Sequence, residues 1–164
     1  MQEHLSKTAY QNLQKWLTEP QFAEFKPEIE ALVASENWQA LEDAFFMDIE
    51  FGTAGMRGIV GVGPNRINNV TVGAAAQGLA QFLLKKSAES ADRGVVIAYD
   101  TRNSSRQLAE LTARVIVGNG LTAYLFESFR ATPELSFAVR HLQAAAGVVI
   151  SASHNPPEYN GFKA

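Results

Sequence analysis

The segment richest in reactive groups is Ser151-Ala152-Ser153-His154-Asn155-Pro156-Pro157-Glu158-Tyr159-Asn160-Gly161-Phe162-Lys163. It follows Gly147-Val148-Val149-Ile150, whose continuous apolar character reads as a buried strand. Two prolines fix φ and reduce the entropy lost in holding one loop shape. Asn160-Gly161 reads as a tight turn that closes the loop. Ser153 could carry a phosphoryl group, or backbone N–H groups and Lys163 could cradle a phosphate there. His154 can give or take a proton near neutral pH. Adjacency does not make Ser153 and His154 a hydrolase dyad, because neighbouring side chains diverge, and the G-x-S-x-G elbow is absent. An ordinary surface turn is the competing reading, since turns favour Ser, Asn, Pro and Gly.

Two further segments hold polar residues and glycine out of proportion to their length. Gly52-Thr53-Ala54-Gly55-Met56-Arg57-Gly58 has a G-x-x-G-x-x-G spacing that is neither a dinucleotide fingerprint nor a P-loop. It reads equally as a tight strand exit or an anion site. Arg57 favours the second, because a guanidinium in a glycine loop suits bidentate phosphate contact. In Asp100-Thr101-Arg102-Asn103-Ser104-Ser105, the better reading is structural: Asp100 pairs with Arg102, and the serines start a helix.

The elements that must position these loops are legible in the apolar spacing. Before residue 48, Leu13, Trp16 and Leu17, then Phe22, Phe25, Ile29, Leu32 and Val33, recur at helical spacing. Asn37 can cap a third helix bearing Trp38, Leu41 and Phe45. Residues 1–47 therefore read as a helical arm packed on a main body, residues 48–164. In the body, Ile49 and Phe51 form a short strand entering a Gly52–Gly63 loop. A helix follows from Thr71 with Val72, Ala75, Ala76, Leu79, Phe82 and Leu83 inward. Strands are expected at Gly94–Tyr99, Leu121–Phe126 and Gly147–Ile150, with helices after Ser104 or Ser105 and at Pro133 between them. This alternation predicts an α/β, three-layer domain with a largely parallel, mixed sheet between helices, preceded by the arm. In such sheets ligands collect beyond the carboxyl ends of the strands, where the Gly52, Asp100 and Ser151 segments are expected to fall. Phe162-Lys163-Ala164 reads as a strand barely begun. The body is thus expected to be incomplete at its C-terminus, with an unpaired sheet edge and a mobile serine loop.

Composition narrows the function classes. Of the 164 residues, 46% are apolar and 19% charged, with net charge −3. That is a globular composition without the positive excess that draws nucleic acid. The absence of cysteine excludes disulfides, thiolate metal sites and cysteine nucleophiles, and suits a reducing cytoplasm. With three histidines, an all-histidine metal centre is not expected. The N-terminus lacks a secretion signal, and no apolar run approaches the roughly 20 residues of a spanning helix. The expected setting is cytoplasmic, with no nucleic-acid or membrane partner.

Taken in order, the segments resemble a known family. The run from Ser151 to Lys163 resembles the active-serine loop of the α-D-phosphohexomutases, the phosphoglucomutase/phosphomannomutase family, usually T-A-S-H-N-P-x-x-Y-N-G-x-K. Ser151 departs from the commoner threonine but keeps its hydroxyl. Gly52–Gly58 resembles the family's G-T-[AG]-G-[LM]-R-G segment, Tyr99-Asp100-Thr101-Arg102 its Y-D-x-R strand end, and Thr132-Pro133 its T-P before a helix. The helical arm looks like the N-terminal extension of longer phosphoglucomutase-like members.

The resemblance implies an isomerase that moves phosphate between the C1 and C6 oxygens of a hexose through a phosphoserine and a bisphosphosugar. By it, Ser153, His154, Lys163 and Arg57 match catalytic positions, and Thr53, Asn155 and Arg102 match positions for substrate or phosphate contact. It further implies Mg²⁺, with the Ser153 phosphate as one ligand, and an activator of the glucose 1,6-bisphosphate type. Family members have four domains, and the resemblance covers most of the first. No D-G-D-x-D metal run occurs in this chain. The expected partners are a phosphosugar and the parent's C-terminal domains, and the chain alone is expected to be inactive. Phosphopentomutase or aminosugar mutase activity on the same scaffold, and a non-catalytic phosphosugar- or partner-binding module, are the alternatives.

Overall fold

The structure, a computed structural model, describes residues 1–53, 55–87 and 89–164. The N-terminal part is helical: α1 (Lys7–Thr18), a 3₁₀ stretch at Pro20–Phe25, α2 (Lys26–Ala34) and α3 (Trp38–Phe45). Ser6 and Asn37 cap α1 and α3, each side chain accepting from a backbone N–H three residues on. These helices enclose a core of their own, built on Leu13, Trp16, Ile29, Leu41 and Phe45. Trp16 stacks on Phe22 at 4.5 Å and meets Phe45 edge-on at 5.8 Å. The helices close onto the next segment at Gly63. There φ is +109°, and a Cβ would lie 2.5 Å from the Ala44 carbonyl oxygen, so only glycine permits the approach.

The body comprises β1 (Phe51–Gly52), β2 (Gly55–Ile59), α4 (Asn69–Lys86), α5 (Ser90–Arg93) and β3 (Val95–Tyr99). It continues with α6 (Ser105–Gly118), β4 (Ala123–Leu125), α7 (Thr132–His141), β5 (Ala146–Ile150) and β6 (Tyr159–Lys163). The six strands form one sheet in the order β1-β2-β6-β5-β3-β4. On one face α4 and α6 bury Val72, Leu83 and Ile116 against Ile97, Ile150 and Phe162. On the other, α7 sets Leu135 against Val96 and Val149. The α/β, three-layer architecture with a mixed sheet is as the alternation predicts.

Five local expectations are corrected. Parallel pairing is confined to β4-β3-β5, where α6 and α7 supply crossovers; β1-β2, β2-β6 and β6-β5 are antiparallel. The Gly52–Gly63 segment is not one loop, because residues 55–59 form a strand, with 56–59 paired to β6; its Ala54 lies outside the described residues. Asn160-Gly161 makes no turn but sits inside β6, where Asn160 is fully buried. The final strand is paired on both sides, with β2 and β5, so the predicted unpaired edge there does not exist. Periodicity misread Phe82 as well: it is 60% exposed, and Ala76, Ala80 and Leu83 carry the buried stripe of α4.

Candidate functional site

The site is assembled where β3 and β5 end and β2 and β6 pass alongside. Ser151 leaves β5 with its N–H donating to the Gly161 carbonyl at 3.0 Å, which fixes the loop's start against β6. The Ser153 N–H then donates to the Ser151 hydroxyl, also at 3.0 Å. That short turn leaves Ser153 with φ +58°, left-handed backbone that a side chain disfavours by about 1 kcal/mol. Strain of this kind persists only where the surroundings impose it, and it concentrates at functional sites. The Ser153 side chain is exposed, and its Oγ lies 3.4 Å from His154 Nδ1, at the outer limit of a hydrogen bond.

Register explains the cations. Arg57 on β2 stands opposite Gly161 on β6, and Lys163 lies two residues further along the same face. Val149, paired with Lys163, faces α7, so Arg57 and Lys163 project from that side of the sheet. Arg57 Nη1 donates to Asn155 Oδ1 at 2.9 Å, and its other N–H groups have no partner among the described residues. Burial and then the neighbouring charge of Arg57 lower the Lys163 pKa below its ordinary value; Asp100 opposes the shift and Arg102 adds to it. Lys163 thus feels two like charges and one carboxylate, a local excess of positive charge suited to a phosphate dianion.

Beyond the loop opens a cavity of about 540 Å³ whose lining includes Asp100, Arg102, Arg130, Thr132, Ser151 and Ser153. Of the residues expected from the sequence, Ser153, Asn155 and Arg102 share this cavity, with His154 adjacent to Ser153. Arg57 and Lys163 are not among the cavity's lining residues, though Arg57 is linked to the loop through Asn155. Thr53 occupies the β1–β2 turn and bonds to none of them among the described residues. Asp100 pairs with Arg102 at 3.3 Å, as its residue types imply. Ser104 holds the position before α6 without a side-chain cap bond, and the Ser105 hydroxyl donates to Asp100 Oδ1 at 2.5 Å.

Arg130, which no sequence motif singles out, belongs to the cavity wall. Its backbone N–H donates to the Tyr99 carbonyl at 3.0 Å, joining the β4–α7 connection to the end of β3. Its Nε lies 3.4 Å from Glu134. The available signal was positional: an arginine just before Thr132-Pro133, at a helix start that follows a strand.

The environment of Lys163 has a consequence for stability. A lowered pKa in the folded state means that the unfolded chain holds more protons in the window between the folded and ordinary values. Stability therefore rises with pH across that alkaline window, and the penalty is present in full below it. Lys163→Met is expected to raise the melting temperature near neutral pH by about 1–3 °C and to remove this share of the alkaline rise. Thermal melts of both forms at several pH values check it; a variant less stable throughout contradicts it.

Comparison with known proteins agrees with this geometry. Residues 48–164 match the family model described as phosphoglucomutase/phosphomannomutase, alpha/beta/alpha domain I. A phosphoglucomutase of Staphylococcus saprophyticus is 50% identical over 115 residues, which is 70% of this chain and 20% of that protein. A Schizosaccharomyces pombe protein assigned as a phosphoribomutase is 40% identical over 149 residues, 91% of this chain and 25% of its own length. A crystal structure of a Thermus thermophilus protein assigned as a phosphomannomutase superposes with TM-score 0.63 at 37% identity. It matches over 71% of this chain and 25% of that one. The chain thus spans 20–25% of the length of these relatives. With the matched segment running from the strand that carries Arg57 through the serine loop to Lys163, the chain belongs to the phosphoglucomutase/phosphomannomutase family.

Proposed function

We propose that this chain is the serine-bearing part of an enzyme that moves a phosphoryl group between two oxygens of a sugar phosphate. The observation that carries the reading is Ser153: an exposed hydroxyl on strained backbone, lining a polar cavity, in a loop that Arg57 contacts through Asn155. In this reading phosphorylated Ser153 gives its phosphoryl group to a sugar hydroxyl. The P–O bond to Oγ breaks as the bond to the sugar oxygen forms, and the bisphosphorylated sugar then returns a different phosphoryl group to Oγ. Arg57 and Lys163 meet the charge spread over the transferring oxygens. His154, beside Oγ, is placed to assist proton movement at the serine. Asn155 orients Arg57, and Thr53 is proposed to contact substrate or phosphate.

Mg²⁺ is part of what the family resemblance implies, but the residues present do not fit the ion on their own. Among the described residues no group of three or more histidine, aspartate or glutamate side chains could hold a metal, whereas the ion requires about six oxygen ligands in near-octahedral array. No step is drawn through it. The chain by itself is accordingly proposed to turn over no substrate.

Pentose phosphates are the second reading of the substrate, favoured by the phosphoribomutase-assigned relative that aligns with 91% of this chain, arm included. The test of the common chemistry is covalent. Incubation with a hexose or pentose 1,6- or 1,5-bisphosphate, in the longest available form of the protein, is expected to leave phosphate on Ser153. Peptide mapping by mass spectrometry locates it. Phosphate on Ser151 instead, or on neither serine under any donor, overturns the proposal.

A further inference from the structure

The guanidinium of Arg102 is committed wholly to the protein. Nε lies 3.3 Å from Asp100 Oδ2. Nη1 donates to the carbonyls of Pro156 at 2.7 Å and Tyr159 at 2.8 Å. Nη2 donates to those of Ser153 at 3.1 Å and Asn155 at 2.7 Å. A guanidinium has five N–H donors in a rigid fork; here the four on Nη1 and Nη2 each donate to a carbonyl, and Nε stands in an ion pair with Asp100. The residue therefore borders the cavity without a donor to offer a ligand. We infer that Arg102 is a positioning residue, a brace that holds the Ser153–Tyr159 segment in the shape that presents Ser153. Its catalytic meaning rests on the reading of Ser153 as the phosphoryl carrier, whereas the brace itself does not.

The rest of the loop shows why a brace is needed. Its internal bonds are short-range: Ser153 N–H to the Ser151 hydroxyl, Asn155 N–H to the Ala152 carbonyl, and Tyr159 N–H to the Pro156 carbonyl. One backbone bond from outside reaches it, from the Val60 N–H to the Glu158 carbonyl at 2.8 Å. Among the described residues the carbonyls of Ser153 and Asn155 accept from Arg102 alone. Without the guanidinium, among the described residues only local turns, the exposed Arg57–Asn155 contact and the Val60–Glu158 bond five residues further on oppose relaxation of the positive φ at Ser153. The brace is itself anchored. Asp100 Oδ1 accepts from the Arg102 N–H at 3.0 Å and from the Ser105 hydroxyl at 2.5 Å. The buried Asn160 amide donates to the hydroxyls of Ser104 and Ser105, at 2.8 and 3.0 Å. The start of α6 is thereby tied to both ends of the loop. Lysine cannot substitute, because an ammonium places three donors at one point and cannot span four carbonyls.

The test is backbone amide hydrogen exchange in Arg102→Lys and Arg102→Ala forms of the 164-residue chain, followed at Ser153, Asn155 and Tyr159. Both variants are expected to exchange at these amides about tenfold faster or more, while Val96 and Ile97 in β3 keep their rates. The lysine variant is expected to melt near the wild-type temperature and yet show the fast loop, a separation that a merely structural role would not produce. Wild-type rates at the three amides, or acceleration only in step with Val96 and Ile97, overturn the inference. Where neither variant folds, Asp100→Asn decides on the same criterion, since it keeps an Oδ1 acceptor and weakens only the Nε contact. Phosphate mapping on Ser153 runs separately. A fast loop in a protein whose Ser153 never takes phosphate leaves the brace standing and overturns the proposed function. Phosphorylated Ser153 on a loop that Arg102→Lys does not loosen overturns the brace alone.

Discussion

Ser153→Ala is expected to lower sugar-phosphate mutase turnover by about 10⁴-fold or more in a protein carrying the family's remaining length. The reason is that no neighbouring group can take over the phosphoryl group. The Ser151 hydroxyl is buried and already accepts from the Ser153 N–H. Alanine keeps the cost of left-handed backbone, so loop and fold are retained and the loss is chemical. Ser153→Gly provides the control: it relieves the φ of +58° and is expected to be equally inactive but more stable by about 0.5–1 kcal/mol. Steady-state turnover and thermal melts of the two variants check this. Turnover in either variant within about tenfold of wild type would show that Ser153 is not the carrier.

Gly161→Ala is expected to cost about 3 kcal/mol of stability, or roughly 10 °C in melting temperature. Gly161 lies in β6 with β2 on one side and the end of β5 on the other. A Cβ there would sit 2.7 Å from the Met56 carbonyl oxygen and 3.0 Å from that of Ser151. Both are backbone atoms, so neither can swing aside as a flexible side chain would. Relief requires β2 to move from β6, displacing Arg57, or Ser151 to release the Gly161 carbonyl, freeing the serine loop. Loss of stability and loss of serine-loop order are therefore expected together, measurable by denaturant unfolding and amide exchange at Ser153. An alanine variant within about 0.5 kcal/mol of wild type would show that the sheet yields there without strain.

Several parts of the molecule are legible in the sequence because their information is local. A cap such as Asn37 satisfies N–H groups within one helical turn, and Val95–Tyr99 is apolar at every position because both faces of a central strand are covered. Asp100 and Arg102 are two residues apart at a strand end, close enough for their pairing to be read from residue type. The serine loop declared itself through residue types directly following a buried strand. Arg130 did not, because what places it in the cavity is the bond from its N–H to Tyr99, a residue 31 positions earlier in the chain.

Residue types and periodicity alone determined that the chain has a helical arm, an α/β body and a polar serine loop at a strand end. Tertiary structure decided what those parts do to one another. Glycines at 52, 55 and 58 read as a loop because glycine disfavours strands, yet pairing with β1 and β6 makes residues 55–59 a strand and aims Arg57 from a sheet face. Asn160-Gly161 has the composition of a turn. Gly161 is there because two backbone carbonyls leave no room for a Cβ, and Asn160 because its amide meets Ser104 and Ser105 more than fifty residues away. Arg102 matched a phosphate-contact position by motif, and only the folded loop shows that four carbonyls and one carboxylate occupy its donors. In each case the deciding contact joins residues distant in sequence, and period, propensity and motif describe only neighbours along the chain.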